Sequence, residues 1–130
     1  MRSLRRWIGG CATLALLFAA QGCDSGGGGT PAVSSSHDVA KVSGTVKING
    51  ALATGGKVNF DGANIARKDV APKTADIDKD GKFEIETVIG DNRVTVTTPE
   101  TTKDTKLMMN QKIVDVKAGM TVDIVIPEIP

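Results

Sequence analysis

From Val39 onward, apolar and polar residues alternate with a period of two, the pattern of strands that bury one face. In "KVSGTVKI", Val42, Val46 and Ile48 share a face with Gly44, while Lys41, Ser43, Thr45 and Lys47 fall on the other. "GKVNFDG" repeats the pattern, with Val58 and Phe60 inward between Lys57, Asn59 and Asp61. "KFEIETV" sets Phe83 and Ile85 against Lys82, Glu84 and Glu86. Val94 and Val96 in "NRVTVTT", Val114 and Val116 in "KIVDVK", and Val122, Ile124 and Ile126 in "TVDIVIP" continue it. "KTADID" offers only Ala75 and Ile77, which predicts a weak or edge strand. About seven short strands without helical periodicity predict an all-β domain over residues 41–127, a single Greek-key β-sandwich.

The breaks between strands carry turn chemistry. Asn49-Gly50, Asp80-Gly81 and Ala118-Gly119 each supply a residue that tolerates positive φ, and Pro99 and Pro127 stand where strands should stop. "PETTKDTKLMMN", between Val96 and Ile113, is a long polar excursion whose Leu107, Met108 and Met109 are expected to plug one end of the sandwich.

Ahead of the alternating region the pattern is different. Arg2, Arg5 and Arg6 precede an uncharged run, Ile8 to Ala20, too short to span a bilayer comfortably and suited to a cleaved signal over residues 1–22. "DSGGGGTPAVSSSHD" then has almost nothing to bury, so residues 23–40 are expected to form a flexible linker. As a Gly-rich coil, Asp24 to Val39 would hold the domain roughly 20 to 25 Å from its point of attachment.

Composition narrows the chemistry. Loss of the signal removes three of the 16 basic residues and none of the 15 acidic ones, and the near-neutral remainder gives no electrostatic case for nucleic acid. Beyond residue 22 the only aromatics are Phe60 and Phe83, so the core must be built from Val and Ile. From Lys41 to Pro130 there is one serine, Ser43, and no Cys, His, Tyr or Trp, which leaves no nucleophile with its base and no zinc set. His37 lies in the linker between Ser36 and Asp38, a grouping without the rigid scaffold that a triad needs.

Two resemblances follow from these residues. "LLFAAQGC" resembles the lipobox of bacterial lipoproteins, in which the cysteine, here Cys23, is lipidated and becomes the mature N-terminus. Ala20 and Gln21 depart from the usual pattern, and the alternative is an ordinary secretory signal. "VSGTVKINGALATGGKVNF", "ADIDKDGKFEIETVIGDNRVTV" and "VDVKAGMTVDIVI" are together similar to the carboxypeptidase regulatory-like domain, a transthyretin-like sandwich found in lipoproteins common among planctomycetes. The family's strand-turn-plug pattern maps onto Val42, Gly44, Val46, Asn49, Gly50, Leu52, Gly56, Val58 and Phe60, and its D-x-D-G-x-F turn onto Asp78, Asp80, Gly81 and Phe83. The family's proline and tyrosine segment is replaced here by "IGDNRVTV". These motifs imply a fold and carry no catalytic residues.

"DIDKDGKFEI" is the one stretch with two chemical readings. Against a calcium loop, Asp76, Asp78 and Asp80 fill positions one, three and five and Gly81 fills six, but position twelve is Thr87 instead of a bidentate Glu. As a hairpin turn, Asp80-Gly81 between Ile77 and Phe83 is a strong short-range signal. Carbohydrate binding lacks the Trp or Tyr platform that usually carries it. The resulting expectation is a non-enzymatic cell-envelope protein held to the membrane through lipid on Cys23, without a cofactor, presenting a structural or protein-interaction sandwich to an envelope protein partner. Its turns are Asn49, Gly50, Asp80, Gly81 and Gly119. The alternative is a module binding Ca²⁺ weakly, or carbohydrate, through Asp76 to Glu86.

Overall fold

The computed structural model describes residues 33–127; the signal segment, Cys23 and the first part of the linker lie outside the described residues. The strands are β1 (Val39–Ile48), β2 (Ala51–Leu52), β3 (Gly56–Asp61), β4 (Lys73–Ile77), β5 (Lys82–Val88), β6 (Gly90–Thr97), β7 (Lys112–Val116) and β8 (Met120–Ile126). They form two four-stranded sheets. In the first, β1 pairs antiparallel with β5 over Val39 to Thr45 and with β2 at Lys47 and Ile48, and parallel with β8 over Val42 to Ile48. The second has the order β4-β3-β6-β7, so β4 and β7 are its edges. The fold is an all-β sandwich.

Alternation explains why these residues form these strands. β1 buries Ala40, Val42, Val46 and Ile48, β3 buries Val58 and Phe60, β5 buries Phe83 and Ile85, and β6 buries Val94 and Val96. The outer faces carry lysine, threonine and carboxylate pairs: Lys41 with Glu84 at 3.6 Å, and Thr45 donating to Asp123 at 2.5 Å. Among the described residues two rings, Phe60 and Phe83, meet across the gap between sheets, with centroids 5.9 Å apart in a tilted contact. The remaining core is aliphatic and depends on close approach of the backbones. Gly44 shows this: it faces inward on β1, and a Cβ there would fall on the Val122 carbonyl of β8 and 3.0 Å from the Phe83 ring.

Four details differ from the alternation reading. Asn49 and Gly50 take φ of 50° and 83°, a primed turn that folds Ala51 and Leu52 back on β1 as an eighth, two-residue strand. Leu52, placed as the plug, is 48% exposed, and Ala53 is buried in its stead, its amide donating to Val46 O at 2.9 Å. The polar excursion contains a 3₁₀ turn, Thr101–Lys103, and one helical turn, α1 (Thr105–Met108), capped by Asp104; segments this short leave no periodicity to read. Of its three apolar residues Leu107 alone is buried, while Met108 and Met109 face solvent. Thr98 and Thr101 fill the space beneath, each accepting the other's amide at 3.2 and 2.8 Å.

The fourth difference concerns the linker. β1 starts at Val39, and the segment before it is bonded to the sandwich: Ile89 donates to Asp38 O at 2.8 Å, and Asn64 Nδ2 donates to Ser34 O at 2.8 Å. Ser34, Ser36 and Asp38 are thus bonded to the sandwich ahead of the first strand.

The Gly44 contact is testable. Gly44→Ala has to push β8 away from β1 and should lower stability by about 2 kcal/mol or more, as overpacking does. Gly119→Ala has open space around it and meets only the strain of its φ of 67°. Urea denaturation should rank Gly44→Ala as the more damaging of the two.

Candidate functional site

The hairpin between β4 and β5 crosses from one sheet to the other and is held by a carboxylate. Asp78 Oδ1 accepts the amides of Asp80 and Lys82, both at 2.8 Å, while the Asp78 amide donates to Lys82 O and the Gly81 amide to Asp78 O. Gly81 takes φ of 76°, the left-handed region in which a side chain is strained. Its carbonyl accepts the Val46 amide at 2.8 Å, so the turn is stitched to β1.

Beside this corner lies an open groove of about 530 Å³, lined by Ser43, Thr45, Asp76, Asp78, Lys82, Glu84 and Thr121 around the backbone of Gly44 and Phe83. Its carboxylates already have partners: Asp76 meets Lys57 Nζ at 2.6 Å, Glu84 meets Lys41, and Asp78 serves the turn. Asp76, Asp78 and Asp80 are not gathered around one point. Among the described residues no group of three or more His, Cys, Asp or Glu side chains is arranged to hold an ion. Thr87, at the calcium template's twelfth place, is buried in β5 and donates to Asn92 Oδ1 at 2.9 Å.

The second polar centre is at the opposite end of β5. Arg67, 1% exposed, sends its guanidinium beneath the β3–β4 loop. Nε donates to Gly62 O at 2.5 Å, Nη1 to Ile89 O, Ser36 O and Ser34 Oγ at 2.6, 2.9 and 3.2 Å, and Nη2 to Asp91 O at 2.6 Å. All these acceptors are neutral, and four are backbone carbonyls. Their number offsets the cost of removing the charge from water. Next to it Asn92 Nδ2 donates to Val88 O and Gly90 O, both at 2.8 Å, closing the sharp turn between β5 and β6. Arg67 thus ties three segments distant in sequence: residues 34–36, the β3–β4 loop, and the β5–β6 turn.

Nothing in "ANIARKDVAP" marked Arg67, because its acceptors are carbonyls that any residue carries. A weak signal was available in "DNRV", where Asn92 occupies an inward position of the β6 alternation and must find partners inside. His37 is exposed, with Nε2 3.3 Å from Asp69 Oδ1, and that bond holds the Asp69 carboxyl below its ordinary pKa. Ser36 Oγ bonds Asp38 and not His37. Cys23 lies outside the described residues.

The fold and these two centres define a two-sheet β-sandwich with a carboxylate-stitched corner and an arginine-tied end. Its architecture is similar to that of a DUF3823 family protein from Parabacteroides merdae ATCC 43184, seen in a crystal structure at 1.80 Å, with a TM-score of 0.51 and 16% sequence identity. The match covers 67% of this chain and 45% of that one, so the chain spans less than half of its neighbour's length, and the likeness shows the fold alone. No protein-family model matches the chain, and no curated protein matches it.

Arg67 yields a prediction. Arg67→Lys removes a fork that reaches several separate acceptors and leaves buried carbonyls unpaired, which should cost on the order of 3 kcal/mol. Urea denaturation measures the loss. Retention of wild-type stability by Arg67→Lys would mean that one ammonium suffices there.

Proposed function

We propose that the chain is a non-enzymatic lipoprotein of the cell envelope, cleaved and acylated at Cys23, whose transthyretin-like sandwich of the carboxypeptidase regulatory-like type presents a sheet edge to a protein partner. The observation that carries this reading is β4. Lys73–Ile77 is an edge of the second sheet, five residues long, and among the described residues no strand pairs on its outer side. Such an edge accepts an extended segment through main-chain hydrogen bonds, and side chains beside it select the partner. Thr74 and Asp76 stand on its outward face, and the adjoining groove adds Asp78 and Lys82. A near-neutral chain whose outer faces are solvated is suited to such a role, and the scarcity of nucleophiles and bases from Lys41 onward supports a non-catalytic one.

The test combines anchor and edge. In cells that make the protein, an alkyne fatty acid should label the wild-type chain and not Cys23→Ser. A photo-crosslinker at Thr74 should give a discrete adduct that is absent from the same crosslinker at Lys47 on the other sheet. Label on Cys23→Ser contradicts the anchor; adducts of equal yield at both positions contradict the edge.

The groove gives the alternative a place, a sugar or weak Ca²⁺ site along Asp76 to Glu86, although no three carboxylates converge there among the described residues. Excess Ca²⁺ should then raise the melting temperature above that in chelator, because native-state binding is linked to folding. An unchanged melt removes the Ca²⁺ form of this reading.

A further inference from the structure

The loop that Arg67 anchors has an outer end as well as a buried one. Between Asn64 and Arg67 the chain makes a tight turn in which each residue's amide donates to the other's carbonyl, at 3.4 and 3.2 Å. Asn64 Oδ1 accepts the amides of Ala66 and Arg67 at 2.8 and 3.1 Å, and Asn64 Nδ2 holds Ser34 O. At the tip stands Ile65, 79% exposed, more than any other large apolar side chain among the described residues. A turn fixed at its base by a buried guanidinium and at its neck by an asparagine thus presents an isoleucine to solvent. Val33 and Val39, at the same end, are exposed too.

What covers this tip follows from where the chain leads. Arg67 and Asn64 bind Ser34 and Ser36, so the loop sits where the chain enters the sandwich. Nine residues separate Cys23 from Val33, and as a Gly-rich coil they would span on average only roughly 16 to 19 Å. The excursion with Met108 and Met109 follows the far end of β6, about 25 Å away along that strand. If Cys23 is acylated, the Ile65 end is therefore the end held toward the bilayer.

On that reading of Cys23, we infer that the Asn64–Arg67 turn is a membrane-docking finger, Ile65 entering the lipid interface and setting the orientation of the sandwich. One apolar side chain is enough in this setting, because an anchored domain meets the surface at an effective concentration that makes weak contacts count. Beside the loop Arg93 lies 3.9 Å from Asp61, and in sequence Lys68 is followed by Asp69, so charges of both signs balance there and apolar insertion, not headgroup charge, carries the contact. In that orientation β4 runs away from the surface, from Lys73 opposite Phe60 to Ile77 opposite Gly56, where a partner strand can reach it.

The mature chain supplies a clean readout, since Trp7 is the only tryptophan and leaves with the signal, and Cys23 is the only remaining thiol. Ile65→Trp in the chain from Cys23 to Pro130 is coupled through Cys23 to phosphatidylcholine vesicles doped with maleimide-functionalised phosphatidylethanolamine. Met109→Trp is the control, and Ala66→Trp replaces Ile65→Trp if that variant does not fold. The expected result is a blue-shifted emission that brominated phosphatidylcholine quenches for Ile65→Trp, with neither change for Met109→Trp. No shift in Ile65→Trp, or equal shifts in both, would overturn the finger. Chemical coupling replaces acylation here, so docking is read independently of whether cells acylate Cys23; that reading fails separately, in the fatty-acid labelling experiment.

Discussion

A single guanidinium determines how this small sandwich is put together at one end. Arg67 is buried without a carboxylate among its hydrogen-bond partners, and its charge is tolerated because carbonyls from three segments converge on it. Each of those carbonyls would otherwise need water inside a loop. The arrangement is mutual: the carbonyls keep the arginine inside, and the arginine fixes the β3–β4 loop, the β5–β6 turn and the residues ahead of β1 relative to one another. With few aromatics and no thiol in the domain, a polar tie of this kind takes the place that a disulfide has in many small exported domains.

The opposite corner uses the same economy of means. Asp78 folds its own hairpin, and Gly81, Val46 and Ala53 connect that hairpin to β1 through backbone bonds. Between these two ends the core is Val and Ile with one pair of rings, thin enough that Gly44 has to bring β8 against β1. Polar closures at both ends and close backbone contact in the middle replace the bulk that larger side chains would provide.

Most of the strands were legible because alternation is a local property, present in the chain whatever the partner. Val42 through Ile48 reads as a half-buried strand from its own residues, and Asn49-Gly50 declares its turn in the same way. The failures have a different physical origin. Leu52 is more apolar than Ala53, yet the tight turn at Asn49-Gly50 aims the alanine inward and the leucine out. Met108 and Met109 follow Leu107 in sequence, but a single helical turn can bury only one side. Arg67 and the groove at the β4–β5 corner were invisible because each is assembled from segments far apart in the chain, and the partners that matter are backbone atoms.

The functional account joins the two ends. An anchor at Cys23 would give the molecule a surface, the segment bonded to Arg67 would give it a fixed exit, and the free edge at β4 would give it something to offer. Orientation depends on the middle step, the binding of residues 34–38 to the body of the sandwich. The Ile89 amide, which donates to Asp38 O, reports on it directly. Amide hydrogen exchange on the mature chain should show the Ile89 amide exchanging as slowly as that of Val46, through global unfolding. Fast exchange at Ile89 beside a protected Val46 would mean that the segment opens on its own, and it would contradict the fixed exit on which the account rests.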